Sequence, residues 1–162
     1  MPESITDIGD EAFWGCTGLE SITLPFVGAS KDETSNTHFG YIFGASSYVD
    51  NNYYVPDSLK TVIITGGDSI GSGAFYRCTG LTSVVIPDSV TSIGNRAFYR
   101  CTGLTSVVIP DSVTSIGYYA FSGCTGITSV YITDVAAWCN ISFSSSDSNP
   151  LCYAETLYLN GE

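Results

Sequence analysis

Apolar side chains recur along this chain with two superimposed spacings, a short alternation and a long period. Leu81, Val84 and Ile86 are separated by Thr, Ser and Val, and this near-alternation predicts a β-strand with one buried face. The pattern returns every 23 residues, and the stretch 74–94 (AFYRCTGLTSVVIPDSVTSIG) recurs unchanged as 97–117. Such repetition indicates a stacked architecture in which every coil solves the same packing problem. A catalytic site would instead need several different groups that converge once.

Each coil is predicted to contain a strand, a turn, a second extended piece and a helical turn. The strand in LTSVVIP ends at a Pro-Asp pair, which is typical of a chain reversal. The segment SVTSIG then runs extended, and a short helical turn carries Ala-Phe inward before Cys and a Thr-Gly turn. Because one coil cannot bury its own apolar face, the coils must stack at about 4.8 Å, the spacing of hydrogen-bonded strands.

The register of the repeat extends toward both ends of the chain. It predicts six strands, at residues 21–25, 61–65, 83–87, 106–110, 129–133 and 156–160. An insertion at roughly 26–54 is predicted to be a polar loop around a short HFGYIFGA turn. The irregular last coil, 134–162, is predicted to contain a short helix at 134–139 and a Ser-rich loop. Residues 1–162 are therefore expected to form a single solenoid domain of about six coils.

The repeat resembles a known family. A period of 20–29 residues with an L-x-x-L-x-L strand is that of leucine-rich repeats. The combination I-P-x-S-V-T-x-I-G-x-x-A-F-x-x-C-x-x-L is similar to the BspA-like leucine-rich repeats of bacterial surface proteins, and the resemblance covers most of the chain. It implies an α/β repeat fold, a right-handed leucine-rich-repeat solenoid with a parallel β-sheet on one face and short helices or turns on the other. It also implies surface display, adhesion and no catalysis.

Composition and charge narrow the class of partner. Sixteen acidic residues against five basic ones give a net charge of −11, which repels nucleic acid and anionic membrane surfaces. No stretch approaches the roughly 18 apolar residues of a membrane span, and MPESITDIGD is not a signal peptide. We expect no nucleic-acid partner and no direct membrane insertion. With the resemblance, the expected location is extracellular or at the cell surface, the chain being a segment of a longer protein.

The six cysteines fall into two groups. A column in register with the repeat consists of Cys16, Cys78, Cys101 and Cys124. Zinc requires ligands that converge on one point, whereas a column holds its sulfurs in parallel, so these residues are predicted to be small buried apolar side chains. Cys139 and Cys152 lie in the irregular last coil, where they either form a disulfide or remain reduced and buried.

Other candidates for chemistry are isolated from one another in the sequence. His38, the sole histidine, lies in the insertion without a nucleophile motif nearby and is predicted to be a surface-loop residue. The acidic pairs at 10–11 and 32–33 are neighbours that point apart, and they are predicted to be solvated loop charges. The stretches SSSDSN and VDNN lack the spacing of a calcium loop. We predict no catalytic residue, no cofactor and no metal site.

Two surfaces are candidates for binding a partner, and the sequence leaves both open. On the strand face, the central outward column contains Ile63, Val85, Val108, Tyr131 and Tyr158. On the turn face, the residues that flank Ala-Phe differ between coils, and the candidates chosen among them are Trp14, Tyr76, Arg77, Tyr99, Arg100, Tyr118 and Tyr119. Tyr, Trp and Arg are enriched in interfaces. Each surface also has an explanation without a partner. Strands favour β-branched and aromatic side chains in any case, and the flanking positions of the turn face are simply unconstrained exposed positions.

The predicted function is a non-enzymatic binding or adhesion module that recognises a protein or a glycan. The alternative is a structural spacer that projects other domains. Open strand edges at the ends of a solenoid would also allow such a spacer to self-associate end to end.

Overall fold

Ten short strands and a few helical turns make up the coils. The computed structural model describes residues 1, 4–31 and 36–160. In chain order its elements are β1 (Ser21–Leu24), 3₁₀ helices (Phe39–Phe43 and Tyr48–Asp50), α1 (Asn51–Tyr54), β2 (Thr61–Ile64), β3 (Ser69–Ile70), β4 (Ser83–Val85), β5 (Ser92–Ile93), β6 (Ser106–Val108), β7 (Ser115–Ile116), β8 (Ser129–Ile132), α2 (Val135–Cys139), β9 (Ser142–Phe143), 3₁₀ helices (Ser146–Ser148 and Pro150–Cys152) and β10 (Thr156–Leu159). No helix in these ranges is long and apolar enough to cross a membrane.

The six predicted strands are confirmed as β1, β2, β4, β6, β8 and β10, each one or two residues shorter than predicted. They form two three-stranded parallel sheets, β1-β2-β4 and β6-β8-β10. The register is the predicted one, with Ser21 opposite Thr61 in the first sheet and Ser106 opposite Ser129 in the second. Between β4 and β6 the main chain still bonds from coil to coil, since the N–H of Thr105 donates to the carbonyl of the equivalent threonine in the preceding coil at 3.2 Å.

A second parallel ladder follows the SVTSIG segments, and this extended piece is also confirmed. Strands β3, β5, β7 and β9 pair in that order, with Ile70 opposite Ile93 and Ile116 opposite Phe143. Each of these strands is only two residues long. The isoleucines are buried, so this ladder closes a second side of the core.

The third side of the core is formed by the Ala-Phe segments, which are hydrogen-bonded turns in the regular coils. The N–H of Phe75 donates to the carbonyl of Ala97 at 2.7 Å, and the N–H of Phe98 donates to that of Ala120 at 2.8 Å. The phenylalanine rings of successive coils stack nearly parallel, with centroids 5.2 Å apart for Phe75 and Phe98 and 5.1 Å apart for Phe98 and Phe121. The predicted inward position of Ala and Phe is confirmed.

The short HFGYIFGA turn predicted in the insertion is confirmed as the 3₁₀ helix Phe39–Phe43, but it is part of the core, so the prediction of a polar loop is wrong for this segment. This helix lies between two Ala-Phe turns, the one at 12–13 and the one at 74–75. The ring centroid of Phe39 is 5.1 Å from that of Phe75. The N–H of Phe13 donates to Ile42, and the N–H of Phe39 donates to Ala74, both at 2.8 Å. Apolar side chains are needed here because they fill the gap between two coils that the insertion separates.

Asn51 ties the insertion to the regular coils. Its side chain is fully buried, and its Oδ1 accepts a hydrogen bond from the N–H of Gly40 at 3.0 Å. Its Nδ2 donates to the carbonyl oxygens of Gly73 at 3.3 Å and of Ala74 at 3.1 Å. One amide therefore satisfies main-chain groups on both sides of the junction, a role that the repeat pattern does not predict.

The short helix predicted at 134–139 is confirmed as α2, Val135–Cys139. Asp134 is its N-cap, and the carboxylate Oδ1 accepts hydrogen bonds from the N–H groups of Ala136 at 2.6 Å and Ala137 at 3.3 Å. Capping of this kind explains why a five-residue helix forms at this point.

We expect Asn51→Ala to lower the free energy of unfolding by about 1–3 kcal/mol, because it leaves the buried N–H of Gly40 without a partner and removes the side-chain hydrogen bonds to the carbonyls of Gly73 and Ala74. Urea denaturation measures this change. Asn52→Ala is the matched control, since the Oδ1 of Asn52 is buried without a hydrogen-bond partner among the described residues. Equal destabilisation by the two variants would contradict the role assigned to Asn51.

Candidate functional site

The column of thiols is structural. Cys78, Cys101 and Cys124 are buried, as predicted. The Sγ of Cys101 donates to the carbonyl of Phe75, and the Sγ of Cys124 donates to that of Phe98, both at 2.9 Å. Burial raises the pKa of Cys124 to about 12 and also raises the pKa values of Cys78 and Cys101 well above the usual range of a thiol. The three groups therefore stay protonated, and those of Cys101 and Cys124 bond their coil to the preceding one.

Three cysteines lie outside this buried column, and their predicted burial is wrong. Cys16, in the first coil, is exposed. Cys139 and Cys152 are also exposed, and both are free thiols. The Sγ of Cys152 donates to the carbonyl of Ser146 at 2.9 Å, which gives that thiol a local partner.

His38 is not the predicted surface-loop residue. Its side chain is only 6% exposed, and its Nε2 lies 2.8 Å from the carbonyl oxygen of Ala45. The ring also contacts Tyr41 edge to face, with centroids 6.1 Å apart. The prediction is wrong because His38 directly precedes the buried 3₁₀ helix Phe39–Phe43, and its ring is buried together with that helix.

The acidic residues do not assemble into a site among the described residues. Asp10 and Glu11 are exposed, as predicted for solvated loop charges, and the pair Asp32 and Glu33 lies outside the described residues. In the ranges that the structure describes, no three His, Cys, Asp or Glu side chains come together in a way that could hold a metal ion. In the VDNN stretch, Asn51 uses its amide on the main chain.

On the strand face, the predicted outward column is present. Val85 and Val108 are 45% and 49% exposed, and Ile63 is half-buried. The rings of Tyr131 and Tyr158 stack at 4.8 Å with an interplanar angle of 11°. Each tyrosine therefore covers one face of its neighbour, and the column is a continuous apolar and aromatic row.

On the turn face, two main-chain positions of each coil have a positive φ. The residue before Ala-Phe has φ between 55° and 67° in four coils, at Glu11, Gly73, Arg96 and Tyr119. The second residue after Ala-Phe has φ between 55° and 76°, at Gly15, Arg77, Arg100 and Gly123. A left-handed main chain costs a non-glycine residue roughly 1–2 kcal/mol, and glycine adopts it freely.

At several of these left-handed residues the main chain bonds to the next coil. The N–H of Arg96 donates to the carbonyl of Tyr118 at 2.9 Å, and the N–H of Arg100 donates to that of Ser122 at 2.8 Å. The N–H groups of Gly73 and Arg77 bond to the next coil in the same way. The alternative that the flanking positions are unconstrained is therefore wrong for their main chain, although their side chains remain free to differ.

Tyrosine and arginine side chains collect at these positions. The Tyr76 ring stacks on that of Tyr99 with centroids 5.0 Å apart. Each arginine contacts a tyrosine ring by a cation–π interaction, at centroid distances of 5.4 Å for Arg77 and Arg100 and 5.8 Å for Arg96. We call this surface the Tyr-Arg face and define it by Tyr48, Tyr76, Arg77, Arg96, Tyr99, Arg100 and Tyr119.

The Tyr-Arg face contains five of the predicted partner-binding candidates and two residues that were missed. Tyr48 was missed because it comes from the insertion, where it contacts Tyr76 edge to face at 5.2 Å. Arg96 was missed although it occupies the same flanking column as Tyr119. Trp14 and Tyr118 are 67% and 56% exposed, but their rings do not join this stack in the part of the chain that the structure describes.

Comparison with protein families gives the same repeat architecture as the structure. Residues 1–39 and 47–155 match the model of the BspA type leucine rich repeat region, in six copies. The chain belongs to the BspA-type leucine-rich repeat family. Both the resemblance and the solenoid fold class are thereby confirmed. No curated protein sequence matches this BspA-type chain.

Two solved structures of leucine-rich repeat proteins are similar to the BspA-type chain. One, from Bacteroides ovatus ATCC 8483, has 32% sequence identity and a TM-score of 0.57, over 88% of this chain and 31% of that one. The other, a leucine rich cell surface protein from Faecalibacterium prausnitzii A2-165, has 31% identity and a TM-score of 0.52, over 81% and 37%. The BspA-type chain thus spans about a third of each of these proteins.

The left-handed main chain can be tested at Arg100. We expect Arg100→Gly to be more stable than Arg100→Ala by about 1 kcal/mol, because both remove the side chain but only glycine relieves the conformational cost. Thermal unfolding measures the difference. At Thr102, whose φ is not positive, the order of the same two substitutions should reverse. An alanine variant as stable as the glycine variant at Arg100 would contradict the assignment.

The burial of the thiols predicts their reactivity. At pH 8 the pKa values of Cys78, Cys101 and Cys124 lie far above the solution pH, so almost no thiolate is present. We expect an aromatic disulfide reagent to modify the three exposed cysteines of the native protein, and all six after denaturation. Rapid native modification of any buried thiol, located by peptide mass analysis, would show that this column opens.

Proposed function

We propose that the chain is a non-catalytic recognition module of a surface-displayed bacterial protein, and that the Tyr-Arg face is its contact surface. Membership of the BspA-type family and similarity to a leucine rich cell surface protein support surface display. Solenoids typically bind partners through a row of exposed side chains supplied by successive repeats, and the Tyr-Arg face is such a row.

The observation that carries this proposal is the presence of arginine where the main chain is left-handed. Arg77, Arg96 and Arg100 have φ between 55° and 56°. The equivalent positions of other coils hold Gly15, Gly73 and Gly123, so the fold does not require a side chain at these positions. Conformational strain that the fold does not require is typically retained for function.

The side-chain chemistry of the Tyr-Arg face also favours recognition. Tyrosine and arginine are enriched among the residues that contribute most to binding energy. Stacking of Tyr76 on Tyr99 and the cation–π contacts of the arginines hold these long side chains in place before a partner arrives. Preorganisation of this kind lowers the entropy lost on binding.

The strand face is the weaker candidate for the contact surface. Its column of Ile63, Val85 and Val108 consists of the β-branched residues that strands favour in any case. Tyr131 and Tyr158 stack as Tyr76 and Tyr99 do, but no cation–π contact with an arginine accompanies that stack among the described residues.

A catalytic role is disfavoured by the state of the candidate nucleophiles. The column thiols of Cys78, Cys101 and Cys124 are buried, protonated groups. His38 is buried against a main-chain carbonyl. A general base or nucleophile must reach a substrate, and these groups do not.

An array of host extracellular proteins and glycans tests the proposal. We expect specific binding to at least one array member, and a loss of at least about tenfold in affinity when Arg77→Gly and Arg100→Gly are combined. The double variant Tyr131→Ser with Tyr158→Ser is the matched control on the strand face and should bind normally.

Two results would overturn the proposal. Loss of binding only in the strand-face variant would assign recognition to that face. The absence of any specific ligand, together with concentration-dependent growth in solution scattering, would instead support a spacer that stacks end to end.

A further inference from the structure

We propose that the Tyr-Arg face binds an anionic polysaccharide, whose carboxylate or sulfate groups are held by the guanidinium groups of Arg77, Arg96 and Arg100. This inference rests on the proposed recognition role and names the class of ligand. It is carried by four observations, which are the charge of the face, the cavities beside Arg96, the use of the main-chain donors and the spacing of the arginines.

The charge distribution is strongly asymmetric. The chain has only five basic residues against sixteen acidic ones, and all three of its arginines lie on the Tyr-Arg face. Within the described ranges their guanidinium groups contact tyrosine rings and form no hydrogen bond or ion pair. Guanidinium binds carboxylate and sulfate through paired N–H donors, so these groups are available for an anion.

Two cavities meet at Arg96. One, of about 190 Å³, is lined by Tyr48, Ser72, Gly73, Asn95 and Arg96. The other, of about 220 Å³, is lined by Arg96, Tyr99, Tyr119 and Ser122. Each is smaller than the roughly 300–1,000 Å³ of a pocket for a drug-sized ligand. The pair therefore suits successive small units of a linear molecule that passes across Arg96.

The lining of these cavities matches a sugar better than an aliphatic group. It consists of tyrosine rings, hydroxyl groups, an amide and a guanidinium, without an aliphatic side chain. The Oδ1 of Asn95 accepts from the N–H of Tyr118 at 2.8 Å, which leaves the amide N–H groups of Asn95 to donate. Sugar rings place C–H groups against aromatic rings and hydroxyls against such polar groups.

An acidic peptide is disfavoured because the main chain of the Tyr-Arg face is already paired. The N–H groups of Gly73, Arg77, Arg96 and Arg100 all donate to the next coil. An extended peptide gains much of its affinity from main-chain hydrogen bonds to a free strand edge. A polysaccharide needs only side-chain donors and ring surfaces, which this face retains.

The spacing of the arginines suits a ligand with repeated charges. Arg77 and Arg100 occupy equivalent positions of successive coils, and the tyrosines beside them stack at 5.0 Å. Anionic groups along one chain could therefore be bound by successive coils, and each added contact becomes intramolecular. The net charge of −11 opposes any polyanion that extends beyond the face, which favours short oligomers.

The test measures binding of short oligogalacturonates and chondroitin sulfate oligosaccharides to the whole chain by calorimetry. Neutral dextran oligomers and poly-glutamate are the comparison probes. We expect one or both acidic glycans to bind, with an affinity that falls as salt is raised. Arg96→Gly should weaken binding at least about tenfold, because a charge-assisted hydrogen bond is lost. Oligogalacturonate carries carboxylates alone and chondroitin sulfate carries both groups, so binding of oligogalacturonate shows that carboxylate is sufficient, and binding of chondroitin sulfate alone shows that sulfate is required.

Matched variants separate the site from the overall charge and from folding. Lys31→Gln removes one positive charge from an exposed residue outside the Tyr-Arg face and should leave binding unchanged. Gly73 shows that glycine is accepted at the position of Arg96, so Arg96→Gly should fold, and circular dichroism checks this. An equal effect of Lys31→Gln and Arg96→Gly would overturn the site.

The remaining outcomes distinguish this inference from the proposed function. Equal binding of poly-glutamate would overturn the polysaccharide class, and equal binding of dextran would overturn the role of charge. If neither acidic glycan binds but an array partner is still lost with Arg77→Gly and Arg100→Gly, the inference fails and the recognition role stands. If no array partner is found either, both fail.

Discussion

The distance between successive coils is the constraint on which the rest of this structure depends. Parallel strands pair at about 4.8 Å, and the stacked ring centroids lie 4.8 to 5.2 Å apart on the strand face, in the core and on the turn face. A Cβ at Gly103 or Gly126 would clash with a carbonyl oxygen of the preceding coil. These glycines therefore recur because no side chain fits between coils, and not only because they lie in turns.

The same spacing explains the conformation of the turn face. At Arg77, Arg96 and Arg100 the main chain is left-handed and its N–H group donates to a carbonyl of the next coil. The solenoid thus determines where a side chain stands on the turn face, while the identity of that side chain is not needed for stacking. Main-chain atoms at these positions take part in stacking, which leaves their side chains available for the recognition role proposed above.

The repeat pattern predicts those features that each coil shares with its neighbours. The strands, the second ladder and the inward Ala-Phe segments follow from periodicity, and α2 follows from its capping Asp134. The burial of His38, the core position of Phe39–Phe43 and the bonds of Asn51 were not predictable in this way, because they depend on a gap between coils that only the folded chain defines. The left-handed positions had one signal in the sequence: glycine occurs in the same columns as arginine.

The left-handed positions of the turn face hold different residues in different coils, and this distinguishes the solenoid from a purely repetitive one. Gly15 and Gly123 stand at the positions that Arg77 and Arg100 occupy in the central coils, so the arginines are confined to the middle of the stack. Tyr48, supplied by the insertion, extends the aromatic row at one end of this central region. An insertion that both completes the core and adds a ring to the Tyr-Arg face links the irregular part of the chain to the surface at which its coils differ.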